Sequence, residues 1–295
     1  MKTHFSIIIP TFNRGKLVYQ TITSILQQKN SSFEIIIVDD GGSDDTFQVI
    51  EEFNDARIKY IKTENKERGS ARNSGLKISI GTYINYFDSD DILAECLPAL
   101  EKFITKNNFP DVVYGVVENV SADGTSIEIV NPRYLVLKKS LLYNNFLACG
   151  SVFIKREVAL RNLFSEDRRL SGTEDWELWL RMYSVHDFVR FPKVVLKQRQ
   201  HSLRSLHKIS IERVTERETA FIEHLENHQD LFVNKFSKAE INLFVADRYT
   251  LIALAQCEST SRNEGFNYLL KSLKRTPSVV RRKRFWAVLK KLFLD

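Results

Sequence analysis

Ile80-Gly81-Thr82-Tyr83-Ile84-Asn85-Tyr86-Phe87 is an alternating run of aromatic and β-branched residues, and Asp88-Ser89-Asp90-Asp91 follows it directly. The first part has the composition and period of a β-strand. Carboxylates at the end of a buried strand repel one another and lose hydration. A cation offsets that cost, and hard oxygen ligands suit Mg²⁺ or Mn²⁺, which bridge one or two protein carboxylates to substrate phosphates. Taken alone, four such residues make an acidic turn more often than a metal site. The rest of the chain decides between the two.

Upstream, the same arrangement recurs. Phe5 to Ile9 is a short β-branched strand stopped by Pro10, and Pro10-Thr11-Phe12-Asn13-Arg14-Gly15 is a loop. Leu17, Thr21, Ile22, Ile25 and Leu26 then share one helical face. Phe33 to Val38 is a continuous apolar strand of the kind covered on both faces. It ends in Asp39-Asp40-Gly41-Gly42-Ser43-Asp44-Asp45-Thr46, and a helix follows with Phe47, Ile50 and Phe53 on one side. Ile58 to Ile61 is a third strand, Arg68 to Ser79 a helix, and Tyr83 to Phe87 the fourth strand. Strands alternating with helices imply right-handed crossovers and a doubly wound, largely parallel sheet. Ligands of such sheets bind at the carboxyl ends of the strands. Thr11, Asn13, Arg14, Asp39, Asp40, Asp88 and Asp90 all fall there. No Gly-x-Gly-x-x-Gly and no Walker A lysine is present, which disfavours a dehydrogenase or a P-loop enzyme. Asp39 and Asp40 also suit a turn with Gly41-Gly42 and a cap for the next helix.

Four segments stand in the order and spacing of family 2 glycosyltransferases: Pro10-Thr11-Phe12-Asn13-Arg14, Val38 through Thr46, Gly69-Ser70-Ala71-Arg72-Asn73-Ser74-Gly75, and Phe87-Asp88-Ser89-Asp90-Asp91. The resemblance covers roughly residues 4–205. It implies the GT-A fold, a Rossmann-like, doubly wound mixed sheet, and inverting transfer from a nucleoside-diphosphate sugar, usually a UDP-sugar. Carried over by position, Pro10, Thr11, Asn13, Arg14, Asp39, Asp40, Arg72, Asp88, Ser89 and Arg199 form the donor side, with Asp40 toward the base and Thr11 toward the nucleotide. Asp88 and Asp90 become the Asp-x-Asp pair for Mn²⁺ or Mg²⁺, with Asp90 the direct ligand. Gly42 stands where the family usually has Ser, a departure that affects loop shape.

Residues 91–205 supply the acceptor side. A helix is expected over Leu93 to Thr105, strands over Val112 to Val117 and Thr125 to Val130 around a hairpin-like turn, and a strand-like stretch over Asn145 to Lys155. Trp176, Trp179, Leu180 and Tyr183 recur at helical spacing, with Thr173 as the N-cap and Glu177 placed for a box-like arrangement. Glu174 and Asp175 in the first turn suit the helix dipole. The family resemblance adds a role: Asp175 matches the base of the Glu-Asp motif. It also suggests that Arg199-Gln200-His201-Ser202 lies on a loop closing over the diphosphate, with Arg199, His201 and Arg204 near phosphate and His201 a further metal ligand; a basic surface loop is the alternative reading of the same residues. The Gln-x-x-Arg-Trp of processive members is absent, which favours addition of a single sugar.

Residues 206–276 are helical in pattern and form an appendage. Residues 271–295 hold nine Lys or Arg and one acid, leaving 34 basic and 36 acidic side chains elsewhere. The basic pI thus describes the tail, and no nucleic-acid partner is expected. Residues 277–295 form a basic amphipathic helix carrying Phe285, Trp286, Leu289, Leu292 and Phe293. Two readings stay open: a foot on an anionic membrane surface, or a helix docked on the protein. No apolar run approaches the ~20 residues of a membrane span, and the amino terminus lacks a signal-peptide pattern. Cys96, Cys149 and Cys257 show no metal or redox spacing, so a reducing cytoplasm is expected, with peripheral placement on the cytoplasmic face of the inner membrane if the foot exists. The acceptor would be a saccharide or lipid-linked saccharide. The rival readings are a sugar nucleotidyltransferase, which needs a Gly-rich, Lys-bearing loop after the first strand, and a non-catalytic nucleotide-sugar-binding scaffold.

Overall fold

The computed structural model describes residues 4–130, 137–200, 210–232, 234–258 and 261–294. In chain order the elements begin β1 (His4–Thr11), α1 (Gly15–Leu26), β2 (Ser32–Asp39), α2 (Thr46–Glu51), β3 (Ile58–Lys62), α3 (Glu67–Ile78) and β4 (Tyr83–Tyr86). Then come β5 (Ile92–Leu93), α4 (Leu97–Lys106), β6 (Val112–Val120), β7 (Ser126–Val130), α5 (Leu137–Tyr143), β8 (Val152–Lys155), α6 (Arg156–Arg161), α7 (Glu174–Val185) and β9 (Phe188–Arg199). The last are α8 (Ile211–Asn227), α9 (Gln229–Phe232), α10 (Lys238–Glu258), α11 (Arg262–Arg275) and α12 (Lys283–Phe293).

The described residues group into two units. The first falls within Met1–Leu135, Phe146–Arg168 and His186–Arg204, the second within Val136–Asn145, Arg169–Val185 and Ser205–Asp295. A boundary at residue 205 separates the last helices; compactness adds α5 and α7 to them.

The first unit holds one mixed sheet of order β3-β2-β1-β4-β8-β6-β9-β5, with β7 on β6. β1 to β4 are parallel, β8 runs antiparallel to β4 and β6, and β9 is parallel to β6. Alternate residues of the central strands serve opposite faces. Ile7, Ile9, Ile35 and Ile37 join Val18, Ile22 and Ile25 of α1 in one buried cluster. On the other face α3 comes so close that a Cβ on Gly75 would lie 2.4 Å from Ile8 Cγ2 and 3.1 Å from Val38 Cγ2. Only glycine allows that approach, and the sheet is covered on both sides, as the continuous apolar strands require.

Local expectations meet four corrections. β1 runs through Pro10 to Thr11. Ile8 sends its carbonyl to Phe87 on the β4 side, so Pro10, two residues on, turns its ring nitrogen the same way, beyond the last β4 pair, Ile8–Tyr86. The missing N–H therefore costs no ladder bond. Ile92–Leu93 pairs with β9, and α4 starts only at Leu97, with Pro98 in the first turn where its lost donor is harmless. Cys149–Ser151 is a 3₁₀ turn, which confines the strand to Val152–Lys155. Finally, Arg199 is the end of β9 rather than loop, because Val117 to Val120 offer paired backbone to Leu196 to Arg199.

The second unit is helical. Ala246, Ala253, Leu269, Val279, Phe285, Val288 and Leu292 form one of its cores. A second centres on Trp176, whose ring lies 5.2 Å from Phe221 and 5.6 Å from Phe244, with Arg248 stacked 4.9 Å above it. Trp176 Nε1 donates to the Leu141 carbonyl at 2.6 Å, so the polar edge of a buried indole is satisfied.

Candidate active site

The carboxyl ends of the parallel strands are aligned. Thr11 is the register partner of Asp39, and Asp39 that of Lys62. Asp40 N donates to Thr11 O at 2.9 Å, and Thr63 N to Asp39 O at 2.8 Å. The loops that follow β1, β2 and β4 thus leave from one edge.

The first two loops hold each other. Asn13, at φ 52°, accepts at Oδ1 from Ser43 N (2.7 Å) and Asp44 N (3.3 Å). Asp44 answers by accepting from Gly15 N at 3.1 Å and Thr46 N at 3.1 Å, at the start of α1 and α2. So Asp44, not Asp39 or Asp40, serves the starts of α1 and α2. Asp39 Oδ1 accepts from Gly42 N at 2.7 Å and Oδ2 from Tyr60 Oη at 2.6 Å. These bonds explain the departure at Gly42. A Cβ there would lie 2.7 Å from Asp39 Oδ1 and 3.1 Å from Asn13 Oδ1, so no side chain fits this loop.

Asp40 is buried and accepts from Lys66 N at 2.9 Å. Burial pushes its carboxyl above the usual range, outweighing the N–H groups of Lys66 and Glu67 that favour the anion. Nearby, Thr11 Oγ1 is buried without a hydrogen-bond partner among the described residues. An unmatched buried hydroxyl is costly in a finished core and expected where a ligand completes the site.

Asp88 and Asp90 follow β4. Arg72, on α3 and fully buried, donates to Asp88 Oδ1 at 2.9 Å, with its guanidinium 5.0 Å above the Phe164 ring. Arg14 donates to Asp90 Oδ2 at 2.8 Å. Burial works to raise the Asp88 pKa, but Arg72, Arg68 and Arg14 together outweigh it and hold the carboxyl below its ordinary value. The acidic end of the strand is therefore a charge-compensated cluster, and Asp88 stays ionised.

Arg199 braces the same loop from β9. Its Nε donates to Asp90 O at 2.7 Å, its backbone N to Asp91 Oδ1 at 3.1 Å, and its Nη1 to Gln20. Nη2 is buried with no partner among the described residues. Burial lowers its pKa, against the pull of Asp91 and Asp90. Ser89 is buried, and Pro10 precedes Thr11, the last residue of β1. His201 and Arg204 lie outside the described residues.

Two carboxylates with oxygen donors only, one of them held ionised, fit a hard divalent cation that takes its other ligands from a diphosphate. Asp88 and Asp90 would hold it.

Asp175 belongs to the helical unit. Its Oδ1 accepts from Trp176 N at 2.7 Å and from Asn145 Nδ2 at 2.9 Å. The start of α7 is built differently from expectation. Thr173 Oγ1 donates to Leu170 O instead of capping, Glu177 pairs with Arg181, and Glu174 Oε2 accepts from Gly172 N at 2.6 Å. Reasoning from sequence missed Tyr60, Gln20, Arg68, Phe164 and Asn145. Each reaches its partner through the fold, and no local pattern announces it.

The family profile "Glycosyl transferase family 2" matches residues 6–164, the stretch that contains the aligned loops and the Asp88–Asp90 pair. The chain belongs to glycosyl transferase family 2. An uncharacterized glycosyltransferase of Rickettsia felis is 29% identical over 282 residues, which is 92% of this chain and 45% of that protein. The chain thus spans less than half the length of this relative. The Escherichia coli enzyme UDP-Glc:alpha-D-GlcNAc-diphosphoundecaprenol beta-1,3-glucosyltransferase WfgD is 34% identical over 177 residues, 59% of this chain and 68% of that one. Among solved structures, Staphylococcus aureus TarS (residues 1–349) superposes with a TM-score of 0.67 at 18% identity, over 99% of this chain and 88% of that one. TarS has also been solved with UDP-GlcNAc, at TM-score 0.64 and 20% identity over 99% and 82% of the two chains. These neighbours share the GT-A fold with this family 2 member.

Proposed function

We propose that this chain is an inverting glycosyltransferase that moves one sugar from a nucleoside-diphosphate sugar, a UDP-sugar first among them, to an acceptor hydroxyl. The observation that carries the reading is the clustering at one sheet edge of Asp40, the unmatched Thr11 hydroxyl and the arginine-compensated Asp88–Asp90 pair. WfgD takes UDP-Glc by its name, and TarS binds UDP-GlcNAc.

In this reading Asp40 accepts from the base, Thr11 donates to or accepts from the nucleotide, and Arg14, Arg72 and Arg199 keep the Asp-x-Asp loop in shape. Bound Mn²⁺ or Mg²⁺ supplies charge stabilisation for the departing diphosphate. Asp175 takes the proton of the acceptor hydroxyl, as its match to the Glu-Asp motif implies. Asn145 and the Trp176 N–H fix that carboxylate. Such a base contributes ~10²–10⁴ in rate.

The acceptor class follows from WfgD, whose name specifies a lipid-linked saccharide. We place the chain in the cytoplasm and, through residues 277–295, on an anionic membrane face. α12 buries Phe285, Val288 and Leu292 in the helical unit and leaves Trp286, Phe293 and Leu294 at 61%, 68% and 79% exposure. Lys283 and Lys290 are exposed on the same helix, each adding ~1 kcal/mol near an anionic surface. No helix among the described residues is long and apolar enough to cross a membrane.

The test is turnover. Incubation with a panel of nucleoside-diphosphate sugars, Mn²⁺ and saccharide or lipid-linked acceptors should release one nucleoside diphosphate per sugar transferred, with inverted anomeric configuration. Retained configuration, or no release with any donor, rejects the reading. Trp286→Ser with Phe293→Ser should reduce sedimentation with anionic vesicles; unchanged sedimentation rejects the membrane face.

A further inference from the structure

Glu177, two residues beyond Asp175, stands together in the helical unit with His224 and His228, which are remote in sequence from every motif used above. One ligand atom from each lies within 4.8 Å of the others, and among the described residues this is the group of three or more His, Cys, Asp or Glu so arranged. His224 and His228 sit one turn apart at the end of α8, their rings stacked at 6.4 Å and 24°. His228 Nδ1 lies 2.8 Å from His224 O. A carbonyl only accepts, so Nδ1 carries the proton and Nε2 holds the lone pair. That is the arrangement in which a backbone carbonyl orients a ligating imidazole. Glu177, 1% exposed on α7, is held by Arg181 Nε at 2.7 Å and Nη2 at 3.1 Å. These two bonds fix the carboxylate plane and leave each oxygen a further lone pair.

We propose that Glu177, His224 and His228 form a binding site for a zinc-class divalent ion, distinct from the Asp88–Asp90 pair. Two imidazoles and one carboxylate are a common zinc set, with water in the fourth position. Tetrahedral zinc needs ligand atoms roughly 3.4 Å apart, so binding would draw the three ligand atoms, which lie within 4.8 Å of one another, closer together. The ion would tie the end of α8 to α7, two residues beyond Asp175. Its chemistry, imidazole and carboxylate, differs from the carboxylate-only pair that suits Mn²⁺ or Mg²⁺.

The experiment uses tag-free protein dialysed against Zn²⁺, with bound metal measured per chain and Co²⁺ absorption as a second readout. Wild type should retain one zinc, give a tetrahedral Co²⁺ spectrum and melt about 2 °C or more higher with zinc. His224→Ala and His228→Gln should each lower zinc affinity at least ~10-fold while keeping the metal-free melting temperature. Asp90→Ala should keep the zinc. Absence of zinc from wild type, equal zinc in the histidine variants, or loss of zinc in Asp90→Ala would each overturn the proposal. Were His224→Ala to unfold, the spectrum of His228→Gln alone decides.

Discussion

Arg14 Nη1 meets Asp90 Oδ2 at 2.8 Å, joining the loops after β1 and β4 across 76 positions of chain. The two side chains are 26% and 13% exposed, so the pair is partly desolvated. A guanidinium on the proposed metal ligand competes with a cation for the same carboxylate. Arg14→Ala should therefore bind Mn²⁺ up to about fivefold more tightly, the strength of a partly exposed ion pair. The same change should weaken binding of the donor's diphosphate. Calorimetric titration with Mn²⁺ and then with UDP checks both signs.

Arg72 is the deeper partner. Its side chain is 2% exposed against 32% for Asp88, so its removal strands a carboxylate rather than a surface charge. Arg72→Leu should cost ~3 kcal/mol, the low end for breaking a buried pair because Asp88 keeps some solvent. Arg72→Lys should recover only part, since an ammonium lacks the planar contact with the Phe164 ring. Urea unfolding of both variants measures the difference.

Acid sensitivity follows from the same cluster. The folded-state pKa of Asp88 is lowered below the ordinary 3.8, so its contribution to stability is complete above that value. It is lost as pH falls from there through the folded value. Asp88→Asn should lack this portion of the acid limb, its stability falling less than wild type's between neutral pH and the acid range. A matched set of melting temperatures from pH 7 downward tests the sign; identical slopes would show that Asp88 is not held ionised.

Asp175→Asn should lower turnover by ~10²–10⁴ while donor affinity changes little. Asn145→Ala should act more mildly, through orientation of the Asp175 carboxylate, and show as a fall in kcat with unchanged donor KM. Equal losses of donor binding and turnover in Asp175→Asn would make the residue structural.

The parallel half of the fold was legible because each buried strand is one apolar run ending in a polar loop, from Ile9 to Thr11, Val38 to Asp39 and Phe87 to Asp88. The end of β9 was not. Lys197, Gln198 and Arg199 look like loop residues, and what makes them strand is backbone pairing with Glu118, Asn119 and Val120. The acids at the strand ends were legible by spacing, but their supports were not. Tyr60 finds Asp39 across 21 positions and Arg199 finds Asp90 O across 109, distances at which no periodicity operates. Compactness was likewise hidden. Trp176 shows a helical stripe in sequence, yet its partners Phe221 and Phe244 lie far down the chain and draw α7 into the helical unit.

The decisive measurement is the melting temperature with UDP and with a UDP-sugar panel, each with and without Mn²⁺, for wild type and Asp90→Ala. Wild type should rise with at least one UDP-sugar, and rise further with Mn²⁺, while Asp90→Ala loses the Mn²⁺-dependent part. Equal Mn²⁺-dependent shifts in the two proteins, or no shift with any nucleotide, would contradict a metal-bridged donor at Asp88 and Asp90.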